Sequence, residues 1–324
     1  MRIGTFALGI ALLGGTALAQ VAPGTPGVEE QAKRDADSRA AFASMPDTPG
    51  TGPYPALKEV APTLPSHAIY RPRDLAALKD KKLAVLVWGN GGCRDDGASA
   101  RHHLAQIASH GYLAIAPGRI LSGPGAEKLP PRPTDGGVET RQGVATSYKD
   151  VLAGIDWAIA ENGREGSPYK GRIDTAKIAV AGHSCGGLQA IQAGADPRIK
   201  TVIVHNSGVF TDGTNPIKGM TVDKSLLGKL HTPVLYVLGG KLDVAWVNGS
   251  DDYKRIAHVP VAMLDAPVGH GGTFREANGG DVARFSVDWL EWQLRGDEKA
   301  AKTFTGTDCR LCSNPKWTLE RKGL

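Results

Sequence analysis

The chain has 324 residues, 41 % of them hydrophobic, enough for one large domain or two small ones with a substantial core. Lys and Arg number 38 against 33 Asp and Glu, a net charge of +5 spread along the chain rather than gathered in blocks. That distribution argues against a nucleic-acid surface, which would show a clustered basic stripe.

The N-terminus reads MRIGTFALGIALLGGTALAQ. Arg2 precedes an apolar run from Ile3 to about Leu13, and Ala17-Leu18-Ala19 supplies small residues where a signal peptidase reads. The run is shorter than the ~20 residues of a membrane span and is broken by glycine. The expectation is a signal peptide over 1–19, cut after Ala19, and an exported protein, periplasmic or secreted, with no membrane span. Export permits disulfides. Of the four cysteines, Cys309 and Cys312 stand close enough to form a local disulfide in the tail, and a partner for Cys93 stays open. No second ligand pair accompanies them as a zinc site would need, and no metal is expected.

Residues 20–65 are rich in Pro, Gly, Ala and charge and read as a flexible leader. From residue 66 the texture changes. HAIYRP (67–72), LAVLVWGN (83–90), YLAIAPG (112–118), AKIAVAG (176–182), TVIVHNS (201–207), PVLYVLGG (233–240) and PVAMLDA (260–266) read as strands, mostly of the continuous apolar kind that is buried on both faces. Helical composition fills 98–109, 144–162, 185–193 and 281–294. Strands alternating with helices predict an α/β fold with a mainly parallel sheet flanked by helices, over 66–296, and a tail, 297–324, packed on that domain. Ligands of such sheets bind at the carboxyl ends of the strands.

At one of those ends stands Gly182-His183-Ser184-Cys185-Gly186, a G-x-S-x-G pattern between a strand and a helix. The turn that lifts a serine above a sheet is strained and crowded, so both flanking positions need glycine. A serine hydroxyl attacks only when a base accepts its proton. His270, in GHGG just beyond the last apolar strand, is the candidate base; His258 and His231 precede strands and so lie at the wrong end of the sheet. Asp243, just beyond PVLYVLGG, is the candidate orienting carboxylate, with Asp265 the alternative. Ser184, Asp243 and His270 then follow the chain order Ser–Asp–His. The oxyanion hole is expected from the Cys185 N–H and from Asn90, or alternatively Gly91, in the glycine turn after LAVLVW. The Cys185 side chain is expected to pack as a small apolar group, and His183 to line the pocket. Trp88, Trp246 and Phe274 neighbour these positions and are candidates, with His183, for substrate binding.

On GHSCG (182–186), WGNGG (88–92), GGKLD (239–243) and GHGG (269–272), the chain resembles the α/β-hydrolase family, nearest to its dienelactone-hydrolase-like, chlorophyllase-like and bacterial cutinase-like secreted esterases. The resemblance covers about 66–294. It implies a cofactor-free serine hydrolase with Ser184 as nucleophile, Asp243 orienting and His270 as base. Dienelactone hydrolases carry cysteine where Ser184 stands, and WG replaces the commoner HG at the oxyanion turn. The expected substrate is a small-molecule carboxylic ester, cleaved through an acyl-enzyme. Peptidase, lactonase and acyltransferase activities use the same triad, and a binding protein on a hydrolase scaffold is the reading from another class. Only Gly208–Thr232 separates two of the strands, too little for a large lid, so the site is expected to be open, with the 119–143 loop contributing to its rim.

Overall fold

The computed structural model describes residues 27–128, 134–135, 138–139 and 144–324. The expected signal peptide and its cut lie outside these residues, as does much of the 119–143 loop.

The protein is an α/β structure built on a nine-stranded sheet. In chain order its elements are α1 (Val28–Ser44), β1 (Ala56–Glu59), β2 (His67–Pro72), β3 (Leu83–Gly89), α2 (Arg101–Ala108), β4 (Tyr112–Pro117), the short strands β5 (Thr134–Asp135) and β6 (Val138–Glu139), α3 (Tyr148–Gly163), β7 (Ile173–His183), α4 (Cys185–Ala193), β8 (Ile199–His205), β9 (Val234–Leu238), α5 (Trp246–Arg255), β10 (Val261–Asp265), α6 (Gly280–Arg295), α7 (Glu298–Ala301) and β11 (Thr318–Lys322). The sheet order is β1-β2-β4-β3-β7-β8-β9-β10-β11, and β5 pairs only with β6. The six strands from β4 to β10 run parallel; β1, β2 and β11 join antiparallel at the edges.

Apolar residues on both faces of the parallel strands explain the two cores. Leu86, Ala181 and Leu235 point to the face covered by α2 and α6, where Leu104, Phe285 and Trp289 meet them. Val85, Val87, Val180 and Val202 point to the opposite face, under Val151 and Ile155 of α3 and Leu188 and Ile191 of α4. Each such fully buried side chain contributes roughly 1.5–3 kcal/mol, so β3, buried along its whole length, anchors the sheet. From β3 the chain passes to β4 on one side and returns to β7 on the other. The crevice between the carboxyl ends of β3 and β7 is therefore the place where strand order reverses and where such sheets bind ligands.

Two stretches differ from expectation. The segment read as a flexible leader contains α1 and an edge strand, β1, whose Ala56–Glu59 pairs with β2. α1 is mostly polar and is stitched by pairs one turn apart, Arg34 to Glu30 and Lys33 to Asp37; Phe42 is its buried anchor, with the Arg101 guanidinium 3.6 Å above its ring. The tail ends in β11, a charged strand that pairs with β10 and closes that edge of the sheet.

Candidate active site

Ser184 sits between β7 and α4 at φ 55°, ψ −122°, backbone angles a residue with a Cβ adopts only under restraint, at roughly 1–3 kcal/mol. The restraint is visible. The Ser184 N–H donates to the His205 carbonyl (3.0 Å), and its own carbonyl accepts from Gly187 N (2.8 Å) and Ser207 Oγ (2.7 Å). A Cβ on Gly182 would overlap the Gly186 carbonyl, and one on Gly186 would overlap the backbone of Gly89. The flanking glycines thus let β3, β7 and α4 meet backbone to backbone.

His270 and Asp243 come to this turn from the loops after β10 and β9. The Ser184 hydroxyl lies 2.9 Å from His270 Nε2, and His270 Nδ1 lies 2.7 Å from Asp243 Oδ1. With Nδ1 donating to the carboxylate, Nε2 is left to accept from the serine. Asp243 is buried but well satisfied: Ala245 N–H donates to Oδ1 (2.9 Å), and Gly239 N–H (3.1 Å) and Asn206 Nδ2 (2.8 Å) donate to Oδ2. Burial works against the Asp243 charge, but the His270 ring and these donors outweigh it and hold the carboxyl below its ordinary range. Burial also opposes charge on His270, yet the adjacent carboxylate wins and raises its pKa above the ordinary value. Asp265, the alternative acid, is occupied elsewhere, accepting from Gly240 N (2.7 Å) and Trp246 Nε1 (2.9 Å).

Asn206, just after β8 at φ 45°, was not singled out in the sequence. Its amide donates both to Asp243 and to the Gly269 carbonyl (3.0 Å), tying the acid to the loop that carries His270. The signal was its position, a polar residue at a strand end next to the one that holds Ser184.

Asn90, Gly91 and Cys185 come together beside Ser184. Cys185 opens α4, where the first N–H groups have no intrahelical acceptor. Gly91 lies against His183 Nδ1, and the Asn90 side chain turns away from the cleft, donating to the carbonyls of Arg94 (3.0 Å) and Pro117 (2.5 Å). The backbone N–H groups of Asn90, Gly91 and Cys185 make no hydrogen bond with another described residue. The Cys185 side chain differs from expectation: it forms a disulfide with Cys93, while Cys309 pairs with Cys312.

A small cleft opens between the Gly91 turn and the Gly271–Arg275 segment, with His183, Trp88 and Phe274 in its lining. His183 donates from Nε2 to the His270 carbonyl (2.7 Å); burial, then the neighbouring positive groups His270 and Arg275, push its pKa down to about 3. Trp88, fully buried, and Phe274 pack with the buried rings of His103 and His205, at centroid distances of 5.0–5.6 Å, into an aromatic floor. Trp246 is not in the cleft. It begins α5, beyond the Asp243 turn, and its indole is held by Asp265.

The rim is cationic and partly built by α1. Arg94 and Arg275 line the cleft, and neither has a carboxylate within ion-pair distance among the described residues. Burial, with Arg39 and Arg94 nearby and only Asp35 opposing, lowers Arg275 to about 10, still protonated at neutral pH. Gln31 lies against Gly269, and Asp35 against Gly271, so α1 flanks the His270 loop where an open edge was expected.

Comparison with known proteins gives no family: no protein-family model matches the chain, and no curated protein is detectably similar to it. Among the described residues no helix is long and apolar enough to cross a membrane.

Proposed function

We propose that the protein is an exported serine hydrolase of the α/β-hydrolase type that cleaves carboxylic esters through an acyl-enzyme. The observation that carries this reading is the unbroken series Ser184 Oγ, His270 Nε2, His270 Nδ1, Asp243 Oδ1, each step within hydrogen-bond distance, at the crevice where strand order reverses. Neither adjacency nor pattern alone would require three side chains from three loops to meet in that order.

The chemistry follows from the atoms. Ser184 Oγ bonds to the ester carbonyl carbon as its proton passes to His270 Nε2. The carbonyl π electrons move to oxygen, facing the free N–H groups of Cys185 and Asn90 or Gly91. Collapse expels the alcohol, which leaves with the proton from His270. Water then gives a proton to His270, attacks the acyl carbon and releases the acid, and His270 returns the proton to Ser184. Asp243 stabilises the imidazolium in both halves without taking the proton.

Arg94 and Arg275 support a narrower reading, an ester with negative charge near the scissile bond. A fluorophosphonate probe with intact-mass detection tests the reaction class: one adduct per folded chain is expected, absent in Ser184→Ala, and no adduct on the folded wild type would refute it. A panel of ester, amide and lactone substrates separates the activities that share the triad. Matched esters with and without a carboxylate test the charge preference, which is expected to shrink as salt is raised.

A further inference from the structure

The N–H groups that face the developing oxyanion belong to segments far apart in the chain, and one covalent bond joins those segments. The Cys93–Cys185 disulfide spans 92 residues, with 5.3 Å between Cα atoms. It runs from the last residue of the Gly91–Cys93 turn to the residue that follows Ser184, and both cysteines are buried.

The restrained turn is one that would otherwise have freedom. Gly91 and Gly92 carry no side chain to pack, Gly92 stands at φ 67°, and Cys93 at φ 47° is in a left-handed conformation that cysteine does not favour by itself. A weaker path runs beside the disulfide. The Cys93 carbonyl accepts from Ala145 N and Thr146 N (both 3.0 Å), and the Thr146 carbonyl accepts Gln189 Nε2 of α4 (2.6 Å). The turn therefore keeps its general place without the bond: Gly89 and Asn90 still pack on Gly186, but beyond them the distance of Gly91–Cys93 from the α4 N-terminus is held by hydrogen bonds through an intermediate segment and by no covalent link. Cys309–Cys312, by contrast, joins residues 3 apart in the tail and touches no part of the site.

We propose that the Cys93–Cys185 disulfide is a positioning element of the oxyanion hole, fixing the spacing between the Cys185 N–H and the Asn90 or Gly91 N–H. The inference rests on the serine-hydrolase reading above. Such donors work by being in place before charge develops, and losing one outright costs about 10²–10³ in kcat. A donor that is present but loosely held costs less, roughly 10- to 100-fold, and the cost falls on kcat because the ground-state carbonyl makes little use of the hole.

The test compares the full mature chain with Cys93→Ala/Cys185→Ala and with Cys309→Ala/Cys312→Ala, at a temperature well below every melting midpoint. Measured are kcat and KM on a p-nitrophenyl ester and inhibition by phenylboronic acid, whose tetrahedral serine adduct presents an oxygen to the hole. In the site variant kcat is expected to fall roughly 10- to 100-fold with KM within about threefold, and the boronate to weaken in proportion to kcat. The tail variant keeps wild-type kinetics. Cys93→Ala alone and Cys185→Ala alone each reproduce the double variant, since either breaks the same bond, whereas lost packing would add. If the double variant does not fold, the comparison moves to folded wild type treated with a water-soluble phosphine. There one phosphine and one water yield two thiols and the phosphine oxide, and loss of kcat must track the appearance of the Cys93 thiol. A folded, active variant with unchanged kcat, or a loss confined to KM with unaltered boronate binding, overturns this inference alone. A wild type with neither turnover nor a Ser184-dependent adduct overturns the hydrolase reading and this inference with it.

Discussion

His183 and His270 lie side by side at the carboxyl edge of the sheet, their rings 5.1 Å apart, yet their electrostatics are opposite. His183 is the nearest histidine in sequence to Ser184, but its Nε2 is committed to the His270 carbonyl, its Nδ1 faces Gly91, and its pKa is pushed to about 3. His270 arrives from 86 residues away, meets a buried carboxylate and has its pKa raised. On the proposed reading, what makes His270 the base is the carboxylate behind it, which fixes the tautomer and stabilises the cation, and adjacency to Ser184 contributes nothing to either. His183 instead bonds the main chain that carries His270.

The strongest way to break this contrast is to delete each ring. His270→Ala, like Ser184→Ala, is expected to lower kcat by roughly 10⁴-fold or more, because nucleophile and base act as a unit. Steady-state kinetics on a p-nitrophenyl ester would measure it. A His270→Ala enzyme within tenfold of wild type would mean that another group accepts the proton.

Removing the carboxylate should cost less and should move the pH profile. Asp243→Asn keeps the shape of the side chain but lets the imidazole take the wrong tautomer, an expected loss of roughly 10²–10⁴ in kcat. In the wild type kcat/KM is expected to rise with pH as His270 becomes neutral, with its inflection above the ordinary histidine value of about 6.5. The Asp243 charge is what raises it, so in Asp243→Asn the inflection should move to lower pH. An inflection that stays put would show that Asp243 is not the partner of the titrating group.

The floor beneath the pair gives an opposite pH signature in stability. His103 is fully buried and pushed to about 3 by burial alone; His205 is pushed well below its ordinary value by burial, with His103 and His183 adding to it. The unfolded chain therefore binds these protons first as pH falls below about 6.5, and stability present above that pH is lost on acidification by about 1.4 kcal/mol per pH unit for each proton. His270 has the reverse sign, its share being present below its unfolded pKa and lost as pH rises through its raised folded value. Urea midpoints from pH 8 to pH 4.5 should fall toward acid, and His103→Gln should flatten the slope if the variant folds.

Much of this arrangement was legible in the sequence, and the gaps have physical reasons. The buried parallel strands announce themselves as apolar runs, and the glycines around Ser184 are forced by backbone contacts that only glycine allows. The grouping of Ser184, His270 and Asp243 was read from strand ends and chain order, and the structure brings the three side chains within hydrogen-bond distance. α1 was read as a leader because its seventeen residues bury chiefly Phe42, so no apolar stripe marks it. β11, Thr318–Lys322, was hidden because an edge strand carries charge where a central strand carries valine. Trp246 was misplaced because a residue close to Asp243 in sequence can leave the site within one turn of chain. The Cys93–Cys185 pairing needed the knowledge that β3 and β7 are neighbours, which no local pattern contains.

The smallest effect sharpens the comparison most. If His183 serves only to hold the His270 carbonyl, a side chain that still donates a hydrogen bond should replace it. His183→Gln retains an N–H donor and should keep kcat within a few-fold of wild type, whereas His183→Phe keeps the ring volume but leaves the carbonyl without its donor. The value of that bond, about 0.5–1.5 kcal/mol, sets the gap between the two variants at roughly 2- to 12-fold. Neither should move the inflection of kcat/KM, since a ring that stays neutral above about pH 3 contributes no charge change near neutrality. Equal losses in the two variants would assign His183 a packing role against Phe274 instead, and a shifted inflection would make it a titrating member of the site.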